Sequence, residues 1–138
     1  MIDRQVTWLR NFEETLSLYK TTDFVWGESD CALFVCDCLK AIYGKDFAAS
    51  FRGQYKTEFK ALKLLKQFSK AGLLETIDKI VVENGGRIVQ NTYAEIGDVT
   101  YGPAYNMGIV VGSQFAFMSP KGFATLDIKE ADQIWTLK

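Results

Sequence analysis

The apolar pattern of this chain changes at residues 84–86, an Asn-Gly-Gly turn signal. Before that turn, apolar residues recur at three- and four-residue steps, which is typical of amphipathic helices. After it, short runs rich in β-branched and aromatic residues alternate with turn residues, which is typical of strands. Helices followed by a meandering sheet predict an α+β fold, with N-terminal helices packed on a C-terminal antiparallel β-sheet.

Two stretches give the clearest helical patterns. Residues 31–43 are apolar nearly all round, follow the N-capping candidates Ser29 and Asp30, and end at Gly44, so we expect a central, buried helix. Residues 4–20 predict an amphipathic helix whose apolar positions are Val6, Leu9, Phe12, Leu16 and Tyr19.

A third helix is predicted at residues 55–72, with five lysines mostly outward on a solvated face. Its inward positions are Phe59, Leu62, Leu65 and Phe68. Residues 73–82 fit a short helix or a strand equally well.

The sheet is predicted from six short runs: residues 88–90, 99–101, 107–111, 115–118, 123–128 and 134–137. The helix at residues 31–43 should pack across one face of this sheet. Since no repeat or linker divides the chain, residues 1–138 are predicted to form one domain.

Composition narrows the classes of function. A net charge of −1 gives no basic footprint for nucleic acid or an anionic membrane. No secretory signal opens the chain and no run of about 18 apolar residues interrupts it, so we expect synthesis and folding in a cytoplasm, without membrane insertion.

The cysteines, Cys31, Cys36 and Cys38, lack zinc-site spacing. We therefore expect no metal or cofactor, and Cys36 and Cys38 as buried small hydrophobic residues.

Cys31 occupies a position suited to a nucleophile. A cysteine in the first turn of a helix lies in the positive field of the helix N-terminus, where backbone N–H groups also bind a developing oxyanion. Gly27 permits a tight backbone approach, and Trp26 is placed to line a cleft.

The chain nevertheless contains no histidine. A cysteine nucleophile normally relies on histidine to generate thiolate and to protonate the leaving amine. The carboxylates that remain as candidate bases are Asp30, Asp98, Glu95 and Glu28. A carboxylate beside Cys31 would raise the thiol pKa by repulsion, in opposition to the helix dipole.

Three motifs in order carry a family resemblance: FVWGESDC at residues 24–31, Gly97-Asp98-Val99, and NMGIVVG at residues 106–112. Over residues 22–126 the chain resembles the NlpC-type cell-wall peptidases of the papain-like fold. It is also similar to small phage proteins related to them, which are often encoded among tail genes. The resemblance implies a papain-like fold with Cys31 at the position of the nucleophile.

Two positions depart from the pattern of that family. Asn106 matches the catalytic histidine, and Phe24 is the nearest residue to a tyrosine whose hydroxyl assists the oxyanion. Asn106 can orient an amide but cannot take up a proton near neutral pH. Loss of acid–base assistance typically costs about 10²–10⁴ in rate.

The resemblance therefore implies a non-catalytic tail protein with a structural or assembly role at the tail tip, made in the bacterial host cytoplasm and then carried in the virion. Its partners would be other phage tail proteins. The alternative is an active cysteine peptidase or amidase on peptidoglycan peptides, with Cys31 as nucleophile and Asn106 as orienting residue. A module that binds such peptides without cutting them is a third reading. Substrate or ligand would then contact Trp26, Asp30 and Tyr105.

Overall fold

The computed structural model describes residues 2–68, 72–104 and 106–138. Within these ranges the chain forms four helices: α1 (Trp8–Lys20), α2 (Cys31–Tyr43), α3 (Glu58–Phe68) and α4 (Leu73–Glu83). The strands are β1 (Arg87–Val89), β2 (Val99–Tyr101), β3 (Met107–Val110), β4 (Gln114–Ser119), β5 (Gly122–Asp127) and β6 (Gln133–Thr136). The predicted α+β class and its order of helices before strands are confirmed.

The strands form one sheet in the order β1-β6-β2-β3-β4-β5, and every pairing is antiparallel. All six predicted runs become strands, with ends that shift by a residue or two. The central pair β2 and β3 aligns Thr100 with Gly108. A Cβ on Gly108 would lie 2.6 Å from the Thr100 hydroxyl oxygen, so this pair needs a glycine.

Helix α2 forms as its sequence predicts. The Asp30 side chain caps its N-terminus, and Gly44 ends it in the left-handed region at φ 77°. Eight of its residues are buried, and it packs across β3 and β4 and against α1, which also contacts β5. The core beneath it includes Phe34 and Trp135, both almost fully buried.

The inward positions predicted for the third helix are wrong at two of the residues that can be checked. Phe59 is 74% exposed and Leu62 is 53% exposed, and none of residues 58–67 is buried. Helix α3 contacts mainly α4, so its own periodicity does not decide which side meets the core. The Phe68 side chain lies outside the described part of the structure.

The first helix also starts later than predicted, at Trp8. Of its predicted apolar stripe, Phe12 and Tyr19 are buried, whereas Val6 and Leu9 are exposed. The ambiguous segment after α3 is helical and forms α4. The C-cap of α4 is Asn84, so the predicted turn at residues 84–86 directly follows the helix. Among the described residues, no helix is both long and apolar enough to cross a membrane.

Candidate functional site

The turn before α2 is organised by the carboxylate of Asp30, which is 1% exposed. One oxygen accepts a hydrogen bond from the Leu33 N–H at 3.0 Å. The other accepts from the Gly27 N–H at 2.9 Å and from the Tyr55 hydroxyl at 2.6 Å. Asp30, which was predicted to contact substrate, therefore holds the turn that precedes Cys31. Its side chain has almost no exposed surface.

Gly27 is required in this turn for two reasons. Its φ of +83° lies in the region that favours glycine, and a Cβ there would collide with the Tyr55 carbonyl oxygen. The tight approach expected at Gly27 is therefore present, and its partner is the backbone of the segment between α2 and α3.

Tyr55 is a site residue that sequence reasoning missed. It follows an irregular segment, 25 residues after the carboxylate that it binds. Burial, followed by its hydrogen bond to Asp30, raises the pKa of its phenol well above the usual range. Phe24 has no hydroxyl to offer an oxyanion, and its ring meets that of Trp26 edge-on at 4.9 Å between centroids.

Cys31 is the first residue of α2, and its side chain is half-buried. Burial raises its pKa, and the negative charge of Asp30 raises it further. Backbone hydrogen bonds from Met107, Ala32 and Cys31 itself act in the opposite direction without cancelling the rise. The helix N-terminus therefore does not produce the low pKa expected of a reactive thiol.

The candidate bases are dispersed. Of the four, only Asp30 lines the cavity that contains Cys31. Asp98 and Glu95 line a different cavity of about 570 Å³, and Glu28 is an exposed residue of the turn. Burial raises the pKa of Asp98, whose carboxylate accepts a hydrogen bond from the Glu95 N–H at 2.8 Å.

The cavity at Cys31 has a volume of about 980 Å³ and mostly apolar walls. It brings together Trp26, Asp30, Cys31 and Asn106, as predicted for one site, and it continues between α3 and α4. The Asn106 side chain makes no hydrogen bond with another described residue, so its amide is available to a ligand. Tyr105 lies outside the described residues.

The other two cysteines are core residues. Cys36 is 5% exposed and Cys38 is fully buried, which confirms their prediction as small hydrophobic residues. Burial raises the pKa of Cys36 to about 12 and that of Cys38 well above its usual value. A search of the described residues finds no group of three or more histidine, cysteine or acidic side chains arranged to hold a metal ion.

Comparison with curated proteins finds no match. A family model described as a domain of unknown function, DUF6950, matches residues 3–137. The matched residues include the turn held by Asp30, the described residues that line the Cys31 cavity and all strands of the sheet. The chain therefore belongs to the DUF6950 family.

Proposed function

We propose that this protein is a non-catalytic relative of the NlpC-type, papain-like fold that serves as a structural or assembly component of a phage tail, at the tail tip. The order of the three motifs supports the phage and NlpC part of this proposal. The non-catalytic part is carried by one observation: the chain has no histidine, and the carboxylate next to Cys31, that of Asp30, is engaged in three hydrogen bonds of its own turn.

The architecture is consistent with a papain-like arrangement. A cysteine opens a buried helix, that helix packs on an antiparallel sheet, and Asn106 precedes β3 in the same cavity as the cysteine. Met107, the first residue of β3, lines the same cavity as Cys31. This juxtaposition is what a nucleophile and its partner require, but here the partner is an amide.

The chemistry argues against turnover of an amide substrate. The carboxylate whose charge acts on Cys31 is that of Asp30, and its oxygens are occupied by three hydrogen bonds. Glu58 and Glu75 also line the cavity, on the exposed walls formed by α3 and α4. Among the residues that the structure describes, none is positioned both to deprotonate the thiol and to protonate the leaving amine, so these residues supply neither step of acid–base assistance.

The structural role is tested in the phage or prophage that encodes the chain. Mass spectrometry of purified particles should find the protein as a virion subunit. Particles made with Cys31→Ala should match wild type in number and infectivity, because the thiol does no chemistry. Absence from particles, or loss of assembly in Cys31→Ala, would contradict the proposal.

One observation favours the alternative of an active cysteine peptidase or amidase on peptidoglycan peptides. Cys31 is the first residue of α2 and lines a cavity of about 980 Å³, so the backbone N–H groups of the first turn lie next to the position that a substrate carbonyl would occupy. Incubation of concentrated protein with muropeptides, followed by mass spectrometry, distinguishes the two readings. Cleavage that disappears in Cys31→Ala supports the enzyme, and intact muropeptides support the structural protein.

Asn106→His is an informative companion variant. An imidazolium that lines the same cavity should stabilise thiolate and lower the pKa of Cys31, by about 1–3 units for a charge in close contact. A pKa that does not move would place Asn106 too far from the thiol for the proposed correspondence with the family histidine.

A further inference from the structure

Helix α3 forms one wall of the Cys31 cavity. Its inner apolar positions, Ala61, Leu64 and Leu65, line the cavity and are half-buried. Leu73 and Ile77 of α4 line the cavity beside them. None of the described residues of α3 belongs to the buried core, although the apolar side of an amphipathic helix is normally covered by one. The inner side of α3 therefore meets the cavity and not a packed set of core side chains.

The volume and the walls of this cavity indicate an apolar occupant. Its volume of about 980 Å³ lies at the upper end of the range for sites that bind small molecules. The stability lost to a cavity grows with its volume, so a closed, empty space of this size would cost more than the whole stability of a small domain. Water is a poor occupant, because walls rich in leucine, isoleucine and valine offer it few hydrogen bonds.

The polar groups of the lining differ in charge between the interior and the mouth. Asp30 and Asn106 lie where α2 and β3 begin. The oxygens of Asp30 are occupied by three hydrogen bonds, whereas the Asn106 amide makes none with another described residue. The other charged side chains of the described lining are exposed: Glu58, Lys66 and Glu75. The interior thus offers an uncharged amide to a ligand, and the charges lie at the mouth.

We propose that the cavity binds a single aliphatic chain with an uncharged, amide-type head. The chain would lie against the leucines of α3 and α4. The head would exchange hydrogen bonds with the side chain of Asn106, which both donates and accepts. This inference goes beyond the proposed structural function and does not depend on it.

The size and charge of the cavity exclude other amphiphiles. At roughly 30 Å³ per non-hydrogen atom, about the share of one water molecule in the liquid, the cavity holds at most ~30 such atoms. A single chain with a small head fits this limit, and a two-chain membrane lipid exceeds it. A charged head beside Asn106 would be buried without a free opposite charge among the described lining residues, which is costly.

The first test measures displacement of N-phenyl-1-naphthylamine, an uncharged probe that fluoresces in apolar surroundings, from the full-length protein. All ligands are used below the concentration at which they aggregate. The affinity of fatty amides should rise about three- to fourfold for each methylene added between octanamide and dodecanamide, because each one is buried in the cavity. Dodecanoate, which has the same chain and a charged head, should bind about tenfold or more weaker than dodecanamide.

Two tryptophan variants locate the chain. Ala61→Trp adds a large ring at an inner position of α3 and should weaken dodecanamide binding about tenfold or more. Lys63→Trp makes a similar addition at an exposed position of α3 outside the lining, and should leave the affinity within about twofold. Leu65→Trp, at the next inner position, replaces Ala61→Trp if thermal unfolding shows that the latter does not fold.

Asn106→Ala locates the head. Loss of one net hydrogen bond should weaken dodecanamide about three- to tenfold, whereas the binding of N-phenyl-1-naphthylamine, which carries no amide, should change less than twofold. Asn91→Ala, at an exposed position outside the cavity, is the matched control and should bind dodecanamide as wild type does.

Several results would overturn the inference. They are no displacement by any amide below its aggregation concentration, an affinity that does not rise with chain length, equal losses in the two tryptophan variants, and an unchanged affinity in Asn106→Ala. Tighter binding of dodecanoate that Lys66→Glu abolishes would place a carboxylate at the mouth and refute the uncharged head. Absence of the protein from phage particles, or cleavage of muropeptides, would refute the proposed function alone and leave these binding results unaffected.

Discussion

The hydrogen bond from Tyr55 to Asp30 joins the segment after α2 to the turn that presents Cys31, and Tyr55→Phe removes it with little change in shape. The phenol oxygen is the only heavy atom lost, and the ring of Tyr55 is 7% exposed, so the variant keeps its packing. The Asp30 oxygen that faces Tyr55 then retains one donor, the Gly27 N–H.

The expected cost follows from that geometry. A hydrogen bond to a charged group contributes about 1.5–3 kcal/mol, and a buried carboxylate cannot replace the lost donor with bulk water. For a chain of this length each kcal/mol lowers Tm by about 3–4 °C. Tyr55→Phe should therefore lower Tm by about 5–12 °C.

Thermal and urea unfolding followed by circular dichroism measure this loss. The m-value should be unchanged, because the variant exposes no new surface on unfolding. Tyr93→Phe is the matched control, since its side chain is 73% exposed, and its effect should stay within about 0.5 kcal/mol. A Tm for Tyr55→Phe within about 1 °C of wild type would refute the structural role assigned to the Asp30 carboxylate.

Three further predictions concern the same framework. Gly27→Ala should destabilise the protein by about 2–4 kcal/mol in urea unfolding, since its added Cβ meets backbone at positive φ, and a loss under about 1 kcal/mol would contradict this. Asp78→Ala removes the carboxylate that accepts a hydrogen bond from the Trp135 indole N–H at 3.0 Å. We expect the free energy of unfolding to fall by about 1–3 kcal/mol and the tryptophan fluorescence to change, and unchanged emission and stability would contradict the contact. Phe59→Ser should leave stability within about 0.5 kcal/mol, and a larger loss would mean that this ring packs on the core.

The features predicted correctly from sequence depend on local signals. Helix α2 combines a capping aspartate, a continuous apolar run and a terminal glycine within a short segment, and each acts on its immediate neighbours. The strands of the sheet are short runs bounded by turn residues, so their positions are also local. Cys31 and Asn106 were placed in one site through the family resemblance, and they do line the same cavity.

The features that sequence missed depend on long-range packing. Nothing near Tyr55 marks it as the partner of Asp30, because a tyrosine after an irregular segment has no fixed direction. Helix α3 has a regular apolar spacing, but which side it buries depends on the elements that it meets, and Phe59 remains exposed. The direction of the pKa shift of Cys31 also could not be predicted from sequence. Burial and the charge of Asp30 raise this pKa and the helix N-terminus lowers it, so the balance depends on the folded structure.

The central claim is that Cys31 is held as a neutral thiol without a base. Its most direct test is the rate of Cys31 alkylation by iodoacetamide against pH, resolved by peptide mass spectrometry on the folded protein. Cys36 and Cys38 serve as buried internal references. The account predicts slow labelling at neutral pH that rises only above the ~8.5 of a free thiol, because burial and the Asp30 charge disfavour thiolate. Fast labelling with an apparent pKa well below that value would contradict it and identify an activated nucleophile.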